Sequence, residues 1–127
     1  MEETKITIAG KEIGLYYCIG ASKDFASLAG GLDKIAVYLS SGDGADIQGK
    51  IEQVILIMNK WYCRMAACNG ETAETITMEE TDLFMDPNDT DVYAGAITKA
   101  IEIGARKMVK VKAVPSKNAK SGRKRSS

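Results

Sequence analysis

The sequence predicts an α+β fold that is mostly α-helical. An N-terminal β-hairpin packs on a small bundle of about four to five helices, followed by a disordered basic C-terminal tail. Three observations predict it. Apolar residues alternate over 5–18 on either side of a glycine; they recur every three or four positions between 22 and 110; and 106–127 hold nine Lys or Arg with no Asp or Glu. The expected organisation is a single compact domain, 1–112, with helices at about 22–40, 46–69, 78–85 and 90–110, and a flexible basic tail, 113–127.

The hairpin is read from Ile6 and Ile8 alternating with Lys5, Thr7 and Ala9, and from Ile13, Leu15 and Tyr17 alternating with Glu12, Gly14 and Tyr16. Gly10-Lys11 as the central pair suits a type II′ turn, which takes glycine first. A lone hairpin is marginal in water, so its apolar face must lie on the helices that follow.

Ser22 is the expected N-cap of the first helix, with Asp24 in its first turn and Phe25, Leu28 and Ala29 on one side. Gly30-Gly31 ends or bends it, and Leu32, Ile35, Ala36 and Leu39 continue at helical spacing until 40–44 breaks the pattern. The longest element carries Ile47, Ile51, Val54, Ile55, Met58, Trp61, Tyr62 and Met65 at intervals of three and four, with Asn69-Gly70 as its stop. Leu56 and Ile57 widen this stripe, so the helix is the spine of the domain. Thr77-Met78-Glu79-Glu80 has the form of a capping box and opens a short helix with Met78, Leu83, Phe84 and Met85. The last helix buries Tyr93, Ile97, Ala100, Ile101, Gly104 and Met108, with acidic residues at its start and Arg106, Lys107 and Lys110 at its end, as the helix dipole favours.

Composition narrows the function. There is no histidine, which removes the commonest general base and metal ligand, so neither an enzyme nor a cofactor or metal protein is expected. The longest apolar run, 54–58, is far below the ~20 residues of a membrane span, and the acidic start is no signal peptide. Cys63 and Cys68 on one helix point about 140° apart, so Cys18, Cys63 and Cys68 are expected as reduced thiols. As nucleophiles they have no histidine base.

Two motifs are incomplete. Residues 44–50 match the start of a phosphate-binding loop, but Ile51 stands where a Ser or Thr hydroxyl is needed and no buried strand precedes it. A helix start with Asp46 near the cap accounts for the same residues. Residues 86–91 begin like a calcium loop, but Asp91 and Ile97 stand where glycine and a bidentate glutamate belong. Capping and Pro87 at a helix start explain them better.

Charge is segregated: eight basic and seventeen acidic residues precede Arg106, giving a body of −9 against a tail of +9. The candidate electrostatic tail is Lys117, Lys120, Arg123, Lys124 and Arg125. It can neutralise phosphates, meet an acidic protein surface, or keep the chain solvated; with no aromatic residue beyond Tyr93, any nucleic-acid contact is unspecific. Acidic body and basic tail on neighbouring copies favour self-association. Met58, Trp61, Tyr62, Met65, Phe84 and Met85 are candidate partner-binding residues, since methionine and aromatic side chains adapt to varied partners, although for Met58, Trp61, Tyr62 and Met65 the periodicity favours a core.

The phrase Ile6-Thr7-Ile8-Ala9-Gly10-Lys11-Glu12-Ile13-Gly14-Leu15, then Ser22-Lys23-Asp24-Phe25 and a short helix, then 46–69, the Thr77 capping box and 91–107, resembles in layout the tail assembly chaperones of long-tailed bacteriophages and prophages. The resemblance spans roughly residues 5–107. It implies a small non-enzymatic protein of the bacterial host cytoplasm, absent from the mature virion. It also implies as partners the tape-measure protein, which such chaperones coat, and the tail-tube protein, which they recruit during virion morphogenesis. The alternative is a small prophage-type nucleic-acid-binding or regulatory protein that uses its basic tail.

Overall fold

A computed structural model describes residues 4–31 and 34–120, with side chains described as far as Arg106. In chain order it contains β1 (Thr4–Ile8), β2 (Lys11–Leu15), α1 (Ile19–Ala29), α2 (Ile35–Ser40), α3 (Gly44–Cys68), α4 (Met78–Phe84), a 3-10 turn (Pro87–Asp89) and α5 (Thr90–Lys120). This is the expected hairpin on a helical bundle.

β1 and β2 pair antiparallel, Thr4 opposite Leu15, Ile6 opposite Ile13 and Ile8 opposite Lys11. The register makes Ala9-Gly10 the two-residue loop, and both have positive φ, +57° and +74°. That is a type I′ turn. The expected type II′ turn over Gly10-Lys11 is therefore corrected by one residue. A I′ turn matches the right-handed twist of the strands, at the cost of a left-handed conformation for an alanine. Ile6, Ile8, Ile13, Leu15 and Tyr17 are buried as expected, with Lys5, Thr7 and Glu12 exposed. β2 stops at Leu15, short of the expected 18, because the next backbone N–H, that of Tyr16, donates to the Met58 carbonyl of α3 at 3.2 Å.

The expected helix 22–40 is two helices. α1 begins at Ile19 with Cys18 as its N-cap and no side-chain cap, so Ser22 is not the cap; its N–H already donates to the Cys18 carbonyl at 2.9 Å. What fixes this earlier start is packing: Gly20 lies against the Trp61 ring, with no room for a Cβ. Gly30 and Gly31 both take positive φ and end α1 as expected. Leu32 lies outside the described residues.

α3 opens with a capping box, in which the Asp46 N–H donates to Asp43 Oδ1 at 2.9 Å and the Asp43 N–H reaches Asp46 Oδ2. The glycine-rich stretch 44–50 is thus the first turns of this helix. Its buried face runs through Ile51, Val54, Ile55, Met58, Asn59, Tyr62 and Ala66. The hairpin lies on it, with Tyr17 and Phe25 stacked at 5.8 Å and Tyr93, Ile97 and Ala100 of α5 closing the core. Ile101, expected in the buried stripe, is half-buried, and Gly104 sits against the Tyr17 carbonyl.

α5 continues to Lys120, ten residues past the expected end at 110. Pro115 removes one backbone donor from this extension. Residues 113–120 of the expected tail thus have helical backbone, while 121–127 lie outside the described residues, as does the side chain of Met108.

Candidate partner-binding surface

α4 is seven residues long, too short to be stable alone in water. Four kinds of contact hold it. The capping box expected from sequence is present: the Glu80 N–H donates to Thr77 Oγ1 at 3.1 Å and the Thr77 N–H to Glu80 Oε1 at 3.0 Å. Lys11, at the hairpin turn, donates from Nζ to Glu80 Oε2 at 2.9 Å and to the Thr75 carbonyl at 2.7 Å. The ammonium and the Thr77 backbone hold the Glu80 carboxyl below its usual range. Thr81, 1% exposed, turns its hydroxyl back to the Met78 carbonyl at 2.8 Å. Just beyond the helix, the Asp86 N–H donates to the Tyr93 hydroxyl of α5 at 3.1 Å.

This anchoring leaves large apolar side chains of α4 outward, Leu83 opposite Thr81 and Phe84, the helix's last residue, about 60° round from Thr81. Leu83 is 65% and Phe84 58% exposed, with Met78 also exposed. Leu83 lies about 200° round the helix from the inward Thr81. Acidic groups surround these side chains. From Arg64 to Lys99 the chain has no intervening Lys or Arg and eight Asp or Glu, among them Glu79, Asp82 and Asp86, all exposed.

Beside this face a cavity of about 140 Å³ is lined by Gln48, Glu52, Thr81, Asp82, Met85 and Tyr93, among others. Burial, then a hydrogen bond shared with Asp82, pushes the Glu52 carboxyl above its usual range. The Glu52 carboxyl of α3 thus meets that of Asp82 on α4. Among the described residues no group of three His, Cys, Asp or Glu could hold a metal ion.

The sequence-predicted partner residues separate. Met58 is 0% exposed beneath the hairpin, and Tyr62 is buried with its ring on Gly14, so neither presents a surface. Their place in the candidate set is corrected: the periodicity that selected them is that of the core. Trp61 is half-buried and held in place. Its Nε1–H donates to Asp24 Oδ2 at 2.8 Å, Lys60 donates to the same oxygen at 2.8 Å, and the Lys60 and Arg64 cations lie 5.1 and 4.7 Å from its ring centre. These hydrogen bonds, that from Lys60 foremost, lower the Asp24 pKa. Met65 is half-buried, with Asn69 Nδ2 at 3.3 Å from its sulfur, and Met85 is half-buried against the core. Phe84 alone of the set is exposed.

Leu83 and Met78 belong to this surface and were missing from the candidates. The sequence holds only part of the signal: Leu83 and Phe84 are adjacent, about 100° apart, so a short helix cannot bury both, but that Leu83 faces outward follows from the core position of Thr81. The backbone of Lys117 and Lys120 belongs to α5, with side chains outside the described residues, and Arg123, Lys124 and Arg125 lie wholly outside them. Among the described residues Cys18, Cys63 and Cys68 are free thiols. Burial raises the Cys63 pKa, which suits an inert side chain.

No family model, curated protein or solved structure matches the chain. No helix among the described residues is long and apolar enough to cross a membrane.

Proposed function

We propose that this chain is a non-enzymatic assembly chaperone, acting in the cytoplasm, that holds an apolar helical client against α4. Following the layout resemblance, the client is the tape-measure protein of a long-tailed bacteriophage or prophage, with the tail-tube protein recruited to the same complex. The observation that carries the reading is the outward pair Leu83 and Phe84 on a helix tied down at both ends. Ile19, Val37 and Val92 are as exposed elsewhere, but Leu83 and Phe84 stand side by side on an anchored helix, and a pre-positioned apolar patch lowers the ordering cost of binding. Weak contacts of this kind, repeated along one extended client, become strong by multivalency.

The test is co-expression with helical segments of the tape-measure protein. The wild type should keep the client soluble and bind it in several copies. Leu83→Ser/Phe84→Ser should lose the client while melting within a few degrees of wild type. An unchanged client complex in the double variant overturns the assignment of this face.

A second reading rests on the nine Lys and Arg of 106–127. A prophage-type nucleic-acid-binding or regulatory protein would use them against phosphates. Its affinity would fall steeply with salt and vanish with the tail, with no dependence on Phe84.

A further inference from the structure

We infer that the α4 face is also the dock for the basic C-terminal segment, 107–127, of a second copy of this chain. This deepens the chaperone reading by naming what covers the same face in the absence of client. The face combines outward Leu83 and Phe84 with exposed Glu79, Asp82 and Asp86. Its occupant must therefore carry apolar and cationic side chains together and lack acidic ones. Segment 107–127 has that composition: Met108, Val109, Val111 and Val114 alternate with lysines, and no Asp or Glu occurs.

The contact must be made between copies. The Asp86 N–H is bonded to the Tyr93 hydroxyl, which places the end of α4 beside the first turns of α5. α5 continues unbroken to Lys120. At 1.5 Å per residue, the backbone at Lys107 lies about 21 Å along the axis from that at Tyr93, and the backbone at Lys110, Lys112, Lys117 and Lys120 farther still. That is about two and a half times the Debye length of ~8 Å at physiological salt. The helix thus leads the backbone of the basic run away from its own acidic face, where a neighbour's face can take it. Because the donor and acceptor surfaces differ, the contact is head-to-tail and propagates into an array. A client that takes the α4 face displaces the neighbour, so self-association and client binding compete.

The test uses the full-length chain without client, after nuclease treatment, in sedimentation at about 0.01 M and about 1 M ionic strength. Wild type should associate at low salt and dissociate at high salt. Glu79→Lys/Asp82→Lys should raise the self-association constant's dissociation value about tenfold or more, as should Lys110→Glu/Lys112→Glu/Lys117→Glu/Lys120→Glu. Both sets combined in one chain should restore association, because the two charges are exchanged. Leu83→Ser/Phe84→Ser, whose surface changes spare the fold, should also weaken it. A monomeric wild type at low salt overturns the proposal, as does association lost on nuclease treatment, which would give the tail to nucleic acid, or a combined variant no better than either set alone. Because no client is present, any of these outcomes leaves the client-binding reading to its own experiment.

Discussion

Asn59 and Gly14 are joined by a buried hydrogen bond, Asn59 Nδ2 donating to the Gly14 carbonyl at 3.1 Å. The same amide also donates to the Glu74 carbonyl at 3.2 Å and accepts from the Ile76 N–H at 3.2 Å. One side chain of α3 thus holds the hairpin on one side and the segment leading to α4 on the other. Asn59→Ala leaves two buried backbone groups and one part-buried carbonyl without this partner and should cost on the order of 2–4 kcal/mol, read as a lower urea midpoint with little change in slope. A loss under about 0.5 kcal/mol, the range of an ordinary surface change, would contradict the role given to it.

Ala9 sits at φ +57°, where a side chain is strained and asparagine is better tolerated. Ala9→Asn creates the Asn-Gly pair that type I′ turns favour and should stabilise by about 0.5–1 kcal/mol. Thermal unfolding measures it; a lower melting temperature would mean that the loop is not this turn.

Gly104 lets α5 lie against the backbone of Tyr17, whose carbonyl occupies the space a Cβ would need. Gly104→Ala gains up to about 1 kcal/mol of helix propensity, yet forces apart two backbones that cannot swing aside. The net expectation is a loss of about 1–2 kcal/mol, so a stabilised variant would contradict the close approach.

Glu52 titrates above its ordinary 4.5, chiefly through burial and then through its bond with Asp82. A carboxyl raised in the folded state stabilises fully below its unfolded pKa, and that contribution is lost as pH rises through the folded value. Glu52→Gln keeps a donor toward Asp82 without the charge. It should raise the melting temperature at neutral pH, with the gain fading as pH falls toward and below 4.5. A gain independent of pH would show that charge is not its source.

The elements that could be read from the sequence are those whose signals are local. The α3 stripe, the alternation of the hairpin and the Thr77-Glu80 capping box depend on spacing within a few residues, and each has its counterpart in the fold. What could not be read depends on distant partners. The start of α1 is set by Trp61 against Gly20, and the end of β2 by the Met58 carbonyl, both contacts to α3. For the candidate surface, a period of three to four marks a buried face and an adaptable binding face alike, which is why Met58 and Tyr62 entered the set. Leu83 became legible only once Thr81 was known to take the inward position of α4.

The most direct measurement of the central claim is client capture by Leu83→Ser/Phe84→Ser against wild type, with each protein's melting temperature alongside. The account predicts that the variant melts near wild type and no longer keeps tape-measure segments soluble. A folded variant that still captures the client in several copies would contradict it.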